Sequence, residues 1–256
     1  MIEVNSPDLA APGITTKSDY VPVLEGVQVT NTVNGFVMTS VTRQTYRNDS
    51  TEEIEITYTF PLSSDAVLTQ LRVEINGKTL NAKVLPKKTA ERDYEAAIES
   101  GDTPVMVQAA KHGLYNANIG NILPGEQLVV ELHIAQALQQ VDGTFRIRIP
   151  TVISSNYGDP ELDGGLEPHE TPVNHVLTEH PFVVEMRITG TLAEGTMSSP
   201  SHNINAYSEG LQRIIRLTDK AFLDRDFILL INPDERARAS ALVNTHNKRH
   251  MGLVSF

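Results

Sequence analysis

Apolar and polar residues alternate with a period of two along most of this chain, and no other feature constrains its fold as much. In "EEIEITYTF", Ile54, Ile56, Tyr58 and Phe60 fall on one side of a strand, with Glu53, Glu55, Thr57 and Thr59 on the other. That pattern marks a half-buried antiparallel strand. Pro61 follows at once, and proline cannot donate to a sheet ladder, so the strand is an edge or stops there. "LTQLRVEINGKTLNAKVL" reads as a hairpin turning at Asn76-Gly77, a pair suited to the positive φ angles of a tight turn. Further strands are expected in residues 21–48, ending at the polar turn Asn48, Asp49, Ser50. Others follow in "TPVMVQAA", in "GLYNANIGNI", in "EQLVVELHIAQAL" after a Pro124-Gly125 turn, and in "GTFRIRIP".

One segment carries a helical period. In "KKTAERDYEAAIESG", Thr89 can cap the first turn, Ala90, Tyr94, Ala97 and Ile98 make one apolar stripe, and Gly101 supplies the stop. A helix over about residues 88–100 is expected to lie across a sheet. Residues 1–19 read as a flexible tail. Residues 158–180 are dense in Gly, Pro, Asp and Glu and read as a loop or linker. A second β segment, 181–256, holds "FVVEMRITGTL", "HNINAYSEG", "LQRIIRLTD", "RDFILLINP" and "ALVNTHNKRHMGLVSF". The expected class is mainly β: an antiparallel β-sandwich with one packed helix, followed by a smaller β domain.

Charge and composition exclude several functions. The 21 basic and 32 acidic residues give a net charge of −11, the wrong sign for a nucleic-acid binder. Without cysteine, the chain has no disulfides, thiolate metal sites or cysteine nucleophile. No apolar run reaches the roughly 20 residues that span a bilayer, so direct membrane insertion is not expected. The first residues have neither the basic nor the apolar region of a signal peptide.

The chemistry-bearing residues support no catalytic centre. His169, His175 and His180 lie in the acidic stretch 155–180 beside Glu170 and Glu179, but their spacings fit no zinc pattern. "DPELDGG" only partly matches a calcium loop. His246 and His250 are four apart in a basic stretch without a carboxylate. His133 alternates with apolar residues and is expected to face solvent or a partner strand. Ser201 and His202 are neighbours, and neighbours on a strand point to opposite faces, so adjacency makes no dyad. Asp224 and Asp226 read as a polar strand entry. No nucleophile elbow or phosphate-binding glycine loop occurs. No catalytic, cofactor-binding or metal-binding residue is therefore nominated, and no cofactor is implied.

Five blocks in order are more specific: "YTFPL" (58–62), "INGKTL" (75–80), "KKTAERDYEAAIESG" (87–101), "IGNILPGEQLVVEL" (119–132) and "FRIRIP" (145–150). Together they resemble the vault protein inter-alpha-trypsin (VIT) domain of inter-alpha-trypsin inhibitor heavy chains, over residues 20–157. "SSPSHNI" (198–204) and "LDRDFILLI" (223–231) resemble the segments lying between that domain and a von Willebrand A-type domain in relatives. The A-type domain itself is absent, since no Asp-x-Ser-x-Ser site occurs. The family often closes its first block with Ala-Pro-Arg-Tyr. Here "SSNYG" keeps only Tyr157, which puts an arginine contact at that corner in doubt.

The resemblance implies a non-catalytic interaction and scaffold module of an adhesion type, with protein partners and an adjacent von Willebrand A-type domain. It implies an extracytoplasmic home, with both ends of the sequence cut inside a longer protein. A rival expectation is a metal-dependent binder or hydrolytic enzyme using the acidic, histidine-bearing loop 155–180. An intracellular subunit of a large particle is a third, resting on the same family's eukaryotic branch.

Overall fold

The computed structural model describes residues 13–16, 22–62, 65–82, 105–109, 114–149, 182–218, 225–234, 240–246 and 249–255. In chain order the strands are β1 (Gly13–Thr16), β2 (Val23–Asn34), β3 (Val37–Arg47), β4 (Ile54–Pro61), β5 (Ala66–Ile75) and β6 (Lys78–Asn81). Then come β7 (Val105–Ala109), β8 (Leu114–Ile122), β9 (Gln127–Ala137), β10 (Gln140–Val141), β11 (Thr144–Ile149) and β12 (Phe182–Thr189). β13 (Thr196–Ser198), β14 (Ile204–Glu209), β15 (Gln212–Leu217), β16 (Phe227–Asn232), β17 (Ser240–His246) and β18 (Arg249–Ser255) complete the set.

The chain is mainly β. Eight strands form one sheet in the order β14-β15-β12-β2-β3-β9-β5-β6, and two four-stranded sheets run β1-β4-β8-β7 and β10-β11-β16-β13. β17 and β18 make a separate hairpin. The expected helix at 88–100 and the linker at 158–180 lie outside the described residues. Among those described, the helical element is a short 3₁₀ turn, Gly190–Glu194.

Turn chemistry sets the hairpins. Asn76 and Gly77 both take positive φ, 49° and 73°, and the β5–β6 hairpin closes on them as expected from the sequence. Gly125, at φ 77°, turns β8 into β9 where Pro124-Gly125 was expected to do so. Asn48 locks the facing corner. Its side-chain Nδ2 donates to the carbonyls of Glu52 and Ile122, both at 2.9 Å, and Oδ1 accepts from the Ser50 N–H and hydroxyl. Its own carbonyl accepts from the Gly125 N–H at 2.6 Å.

The alternating row of β4 is the core row: Ile54, Ile56, Tyr58 and Phe60 are buried, and Pro61 is the last residue of the strand. Phe60 stacks on Tyr115, with centroids 5.6 Å apart, and tilts against Tyr58 at 5.8 Å. The strand departs from the half-buried expectation, because Thr57 and Thr59 on its other face are buried too. β4 lies between β1 and β8, and the two hydroxyls donate to Asn118 and Asn116 at 3.1 and 3.0 Å. A buried threonine is tolerated because it is hydrogen-bonded.

The segment expected as a smaller β domain shares sheets with the first block. β12, β15 and β14 extend the eight-stranded sheet beyond β2, while β16 pairs with β11 and β13 pairs with β16. Buried residues of both segments form one hydrophobic cluster. The antiparallel expectation meets an exception here, since β12 runs parallel to β2 from Phe182↔Val27 to Thr189↔Asn34. A parallel pair needs a long crossover rather than a hairpin, and the whole chain between residues 35 and 181 provides it. Alternation identifies a strand without naming its neighbour, which is why the sequence does not show this pairing.

Candidate interaction surface

Each strand of the large sheet sends alternate residues to opposite faces. Val29, Val33, Leu71, Val73, Val130, Leu132, Val184 and Met186 take the core side. The opposite face carries a ladder of charge. Register places Gln28, Arg43, Glu131 and Arg72 in one row across β2, β3, β9 and β5. Arg43 donates to Glu131 through Nη1 and to Glu74 through Nη2 at 3.0 Å. Arg72 donates to Glu74 at 2.5 Å and lies 3.6 Å from Glu131.

Two smaller groups repeat the pattern. On β12 and β15, Arg187 and Arg216 donate to the two oxygens of Glu185 at 2.9 and 2.8 Å. Arg216 also lies 5.8 Å from the centre of the Tyr207 ring, within cation–π range. At the far end, Arg47 and Gln127 donate to Glu25 at 2.5 and 2.7 Å. In all three groups the arginine side chains are 37–50% exposed and the glutamates only 12–26%. Guanidinium groups thus form the outermost layer of this face, with the carboxylates beneath them.

Proton affinities follow that arrangement. Hydrogen bonds from Arg72 and then Arg43 hold the Glu74 carboxyl below its usual range. Burial pushes Glu185 up, but the bonds from Arg216 and Arg187 outweigh it and the group titrates low. Glu25 is lowered chiefly by the Gln127 bond. Burial opposes the charge on Arg43, yet its bonds to Glu74 and Glu131 leave the guanidinium harder to deprotonate.

Four of the histidines singled out in the sequence, His133, His202, His246 and His250, lie among the described residues. His133 lies on this outer face, 3.6 Å from Glu131, as its alternation implies. His246 and His250 sit on facing strands of the last hairpin, opposite Arg249 and Thr245. His169, His175, His180, Asp163 and Asp224 lie outside the described residues. Asp226, the residue before β16, is paired with Arg148 of β11 at 2.5 Å, as a polar strand entry would be. Among the described residues no three His, Asp or Glu side chains gather as a metal site would need. No described helix is long and apolar enough to cross a membrane.

Ser201 and His202 depart from expectation. Residues 200–202 form a bend rather than a strand, so the Ser201 hydroxyl and His202 Nδ1 meet at 3.0 Å. The same hydroxyl accepts the Ile228 N–H at 2.8 Å, and Ser199 Oγ accepts the His202 N–H at 3.2 Å. The imidazole lies between Phe182 and Phe227, at centroid distances of 6.4 and 5.9 Å. These contacts latch the bend onto β16. The arginine–glutamate ladder itself was missed in the sequence. Its signal was present as Arg72-x-Glu74 and Glu131-x-His133 at alternate positions, but only register brings them side by side.

The strands bearing most of the ladder are also those with a known pattern. Residues 24–134 match the family model of the vault protein inter-alpha-trypsin domain. Over this stretch the chain is similar to the VIT domain. The stretch runs from β2 to within three residues of the end of β9, and it holds Arg43, Arg72, Glu74 and Glu131. "FRIRIP" and the strands β12 to β16 lie beyond the matched residues.

The chain is 26% identical over 232 residues to the mouse (Mus musculus) von Willebrand factor A domain-containing protein 5A, covering 87% of this chain and 29% of that protein. A von Willebrand factor A domain-containing protein of Dictyostelium discoideum is 31% identical over 116 residues, covering 45% of this chain and 13% of that protein. The mouse protein mono-ADP-ribosyltransferase PARP4 is 22% identical over 203 residues, covering 78% of this chain and 10% of that protein. The chain therefore spans less than a third of the length of each of these relatives.

Proposed function

We propose that this chain is a non-catalytic protein-interaction and scaffold module of an inter-alpha-trypsin heavy chain-like protein of adhesion type, exported or held at a surface. Its working surface is the outer face of the eight-stranded sheet, and its partner there is the von Willebrand A-type domain encoded with it. One observation carries the reading: in a chain of net charge −11, this face presents exposed guanidinium groups above half-buried carboxylates. Arginine is the cation enriched at protein interfaces, because its planar fork is weakly hydrated and pre-organised. The carboxylates beneath hold each fork in place, so less freedom is lost on docking. The names of the relatives, which record von Willebrand A domains, support the choice of partner.

The test is the affinity of this chain for its separately produced A-type domain, by calorimetry at several salt concentrations. Replacing Arg43 and Arg187 together with alanine should weaken binding at least about tenfold, or about 1.4 kcal/mol, and flatten its salt dependence. An unchanged affinity overturns the outer-face reading. Titration with calcium and zinc tests the rival use of loop 155–180. A stoichiometric heat lost on His169→Ala or Asp163→Ala would replace the scaffold reading with a metal-dependent one.

A further inference from the structure

Sheet edges are normally guarded against pairing by brevity, lysine, proline or a bulge. Among the described residues, the eight-stranded sheet ends on β6 at one side and β14 at the other. β6 has four residues and begins at Lys78, a short charged edge. β14 has six, "INAYSE", with neither lysine nor proline. Its register with β15 runs from Ile204↔Leu217 to Glu209↔Gln212 without a bulge.

Two observations fix which backbone groups of β14 point outward. Glu209 and Gln212 close a two-residue turn at Gly210-Leu211, which makes them a hydrogen-bonded pair. Farther along, the Thr218 N–H donates to the Asn203 carbonyl at 3.1 Å. Both give the same phase: Asn205, Tyr207 and Glu209 exchange bonds with β15, and the N–H and C=O groups of Ile204, Ala206 and Ser208 turn to the open edge. Ile204 and Ala206 lie partly buried against the common core, at the margin where the sheet ends.

We propose that β14 is a docking edge for a second copy of this chain, with two β14 strands pairing antiparallel about Ala206. In that register Ala206 meets its own copy, Ile204 meets Ser208, Asn205 meets Tyr207 and Asn203 meets Glu209. Every pair joins residues from the same face, so the core sides of the two sheets remain continuous. No like charges oppose each other, and the strand's single charged residue, Glu209, falls beside asparagine at the end nearer Arg216 of the other copy. A two-fold contact requires a strand to fit its own reverse, and this one does so in every row. The β14 edge is a separate surface from the arginine-bearing outer face, and loss of binding at one leaves the other intact.

Sedimentation velocity over a concentration series, with amide exchange, tests it. The chain should form a concentration-dependent dimer in which the Ile204, Ala206 and Ser208 amides exchange more slowly. Ala206→Pro removes an N–H that the internal ladder does not use. It should weaken dimerisation at least about tenfold and leave the melting temperature near that of the parent. Asn205→Pro removes a ladder bond and should lower the melting temperature. If Ala206→Pro does not fold, Ser208→Lys, which guards the edge with charge, should give the same loss of dimer. A chain that stays monomeric throughout, or a dimer that survives these substitutions or leaves those amides unprotected, overturns the proposal.

Discussion

Residues 23–149 and residues 182–232 share two sheets, the eight-stranded one and β10-β11-β16-β13, and enter them by different means. The first region mixes hairpins such as β2–β3 and β5–β6 with distant pairings, β4 with β8 and β9 with β3 and β5. The second keeps one hairpin, β14–β15, but inserts β12 in parallel beside β2 and lays β16 against β11, so it joins the first through pairings that no short turn sets. The matched VIT residues end inside the first region, yet the hydrophobic cluster runs through both. A boundary drawn from a motif is therefore no boundary of the core.

The largest expected effects fall on that shared core. Phe60 and Phe227 are both fully buried, one in each region, and replacing either with alanine should cost about 3–5 kcal/mol. If the regions form one cooperative unit, both substitutions move a single calorimetric transition, and probes in either region report the same midpoint. A Phe227→Ala protein that keeps the parent's transition for residues 23–149 breaks the comparison, because the regions would then fold independently.

Next in size are the polar locks. Asn48 is almost fully buried and ties the β3–β4 corner to the end of β8. Asn48→Ala removes the donor to the Glu52 and Ile122 carbonyls and the acceptor for Ser50, and should cost about 2 kcal/mol. Ser201 is half-buried and accepts one backbone N–H, so Ser201→Ala should cost nearer 1 kcal/mol. Denaturant titration orders the two. An inverted order would mean that the second region depends on its latch more than the first does on its corner.

The same contrast between local and distant pairing sets how much of the fold is legible in the sequence. Period-two alternation placed the strands, the Asn76-Gly77 pair placed a hairpin, and Phe60-Pro61 placed a strand end, because each signal is local. The Ser201–His202 contact is not legible in the alternation, since it depends on a bend that alternation does not announce. The ladder of Arg43, Glu131, Arg72 and Glu74 needs the register of three strands far apart in sequence, and β12 beside β2 needs the closure of a long crossover. Local chemistry determines which residues can form an element, and packing of the whole determines which elements meet.

The smallest expected effect compares the two regions through their carboxylates. Glu74 belongs to the first region and Glu185 to the second, and arginine bonds hold both below the ordinary carboxyl range in the folded state. A group whose folded pKa is depressed stabilises the fold above its unfolded pKa, and that contribution disappears as pH falls through the folded pKa. Stability should therefore be level near neutrality with respect to these groups and decline below about pH 4.3, the unfolded value for glutamate. The arginines stay charged throughout, so the decline follows carboxylate protonation alone. Denaturant midpoints measured at stepped pH should show a shallower acid slope for both Glu74→Gln and Glu185→Gln. If only Glu74→Gln flattens it, the bonds of Glu185 between β12 and β15 form in a region that has already separated from the first at that pH, and the shared core is weaker in acid than its packing implies.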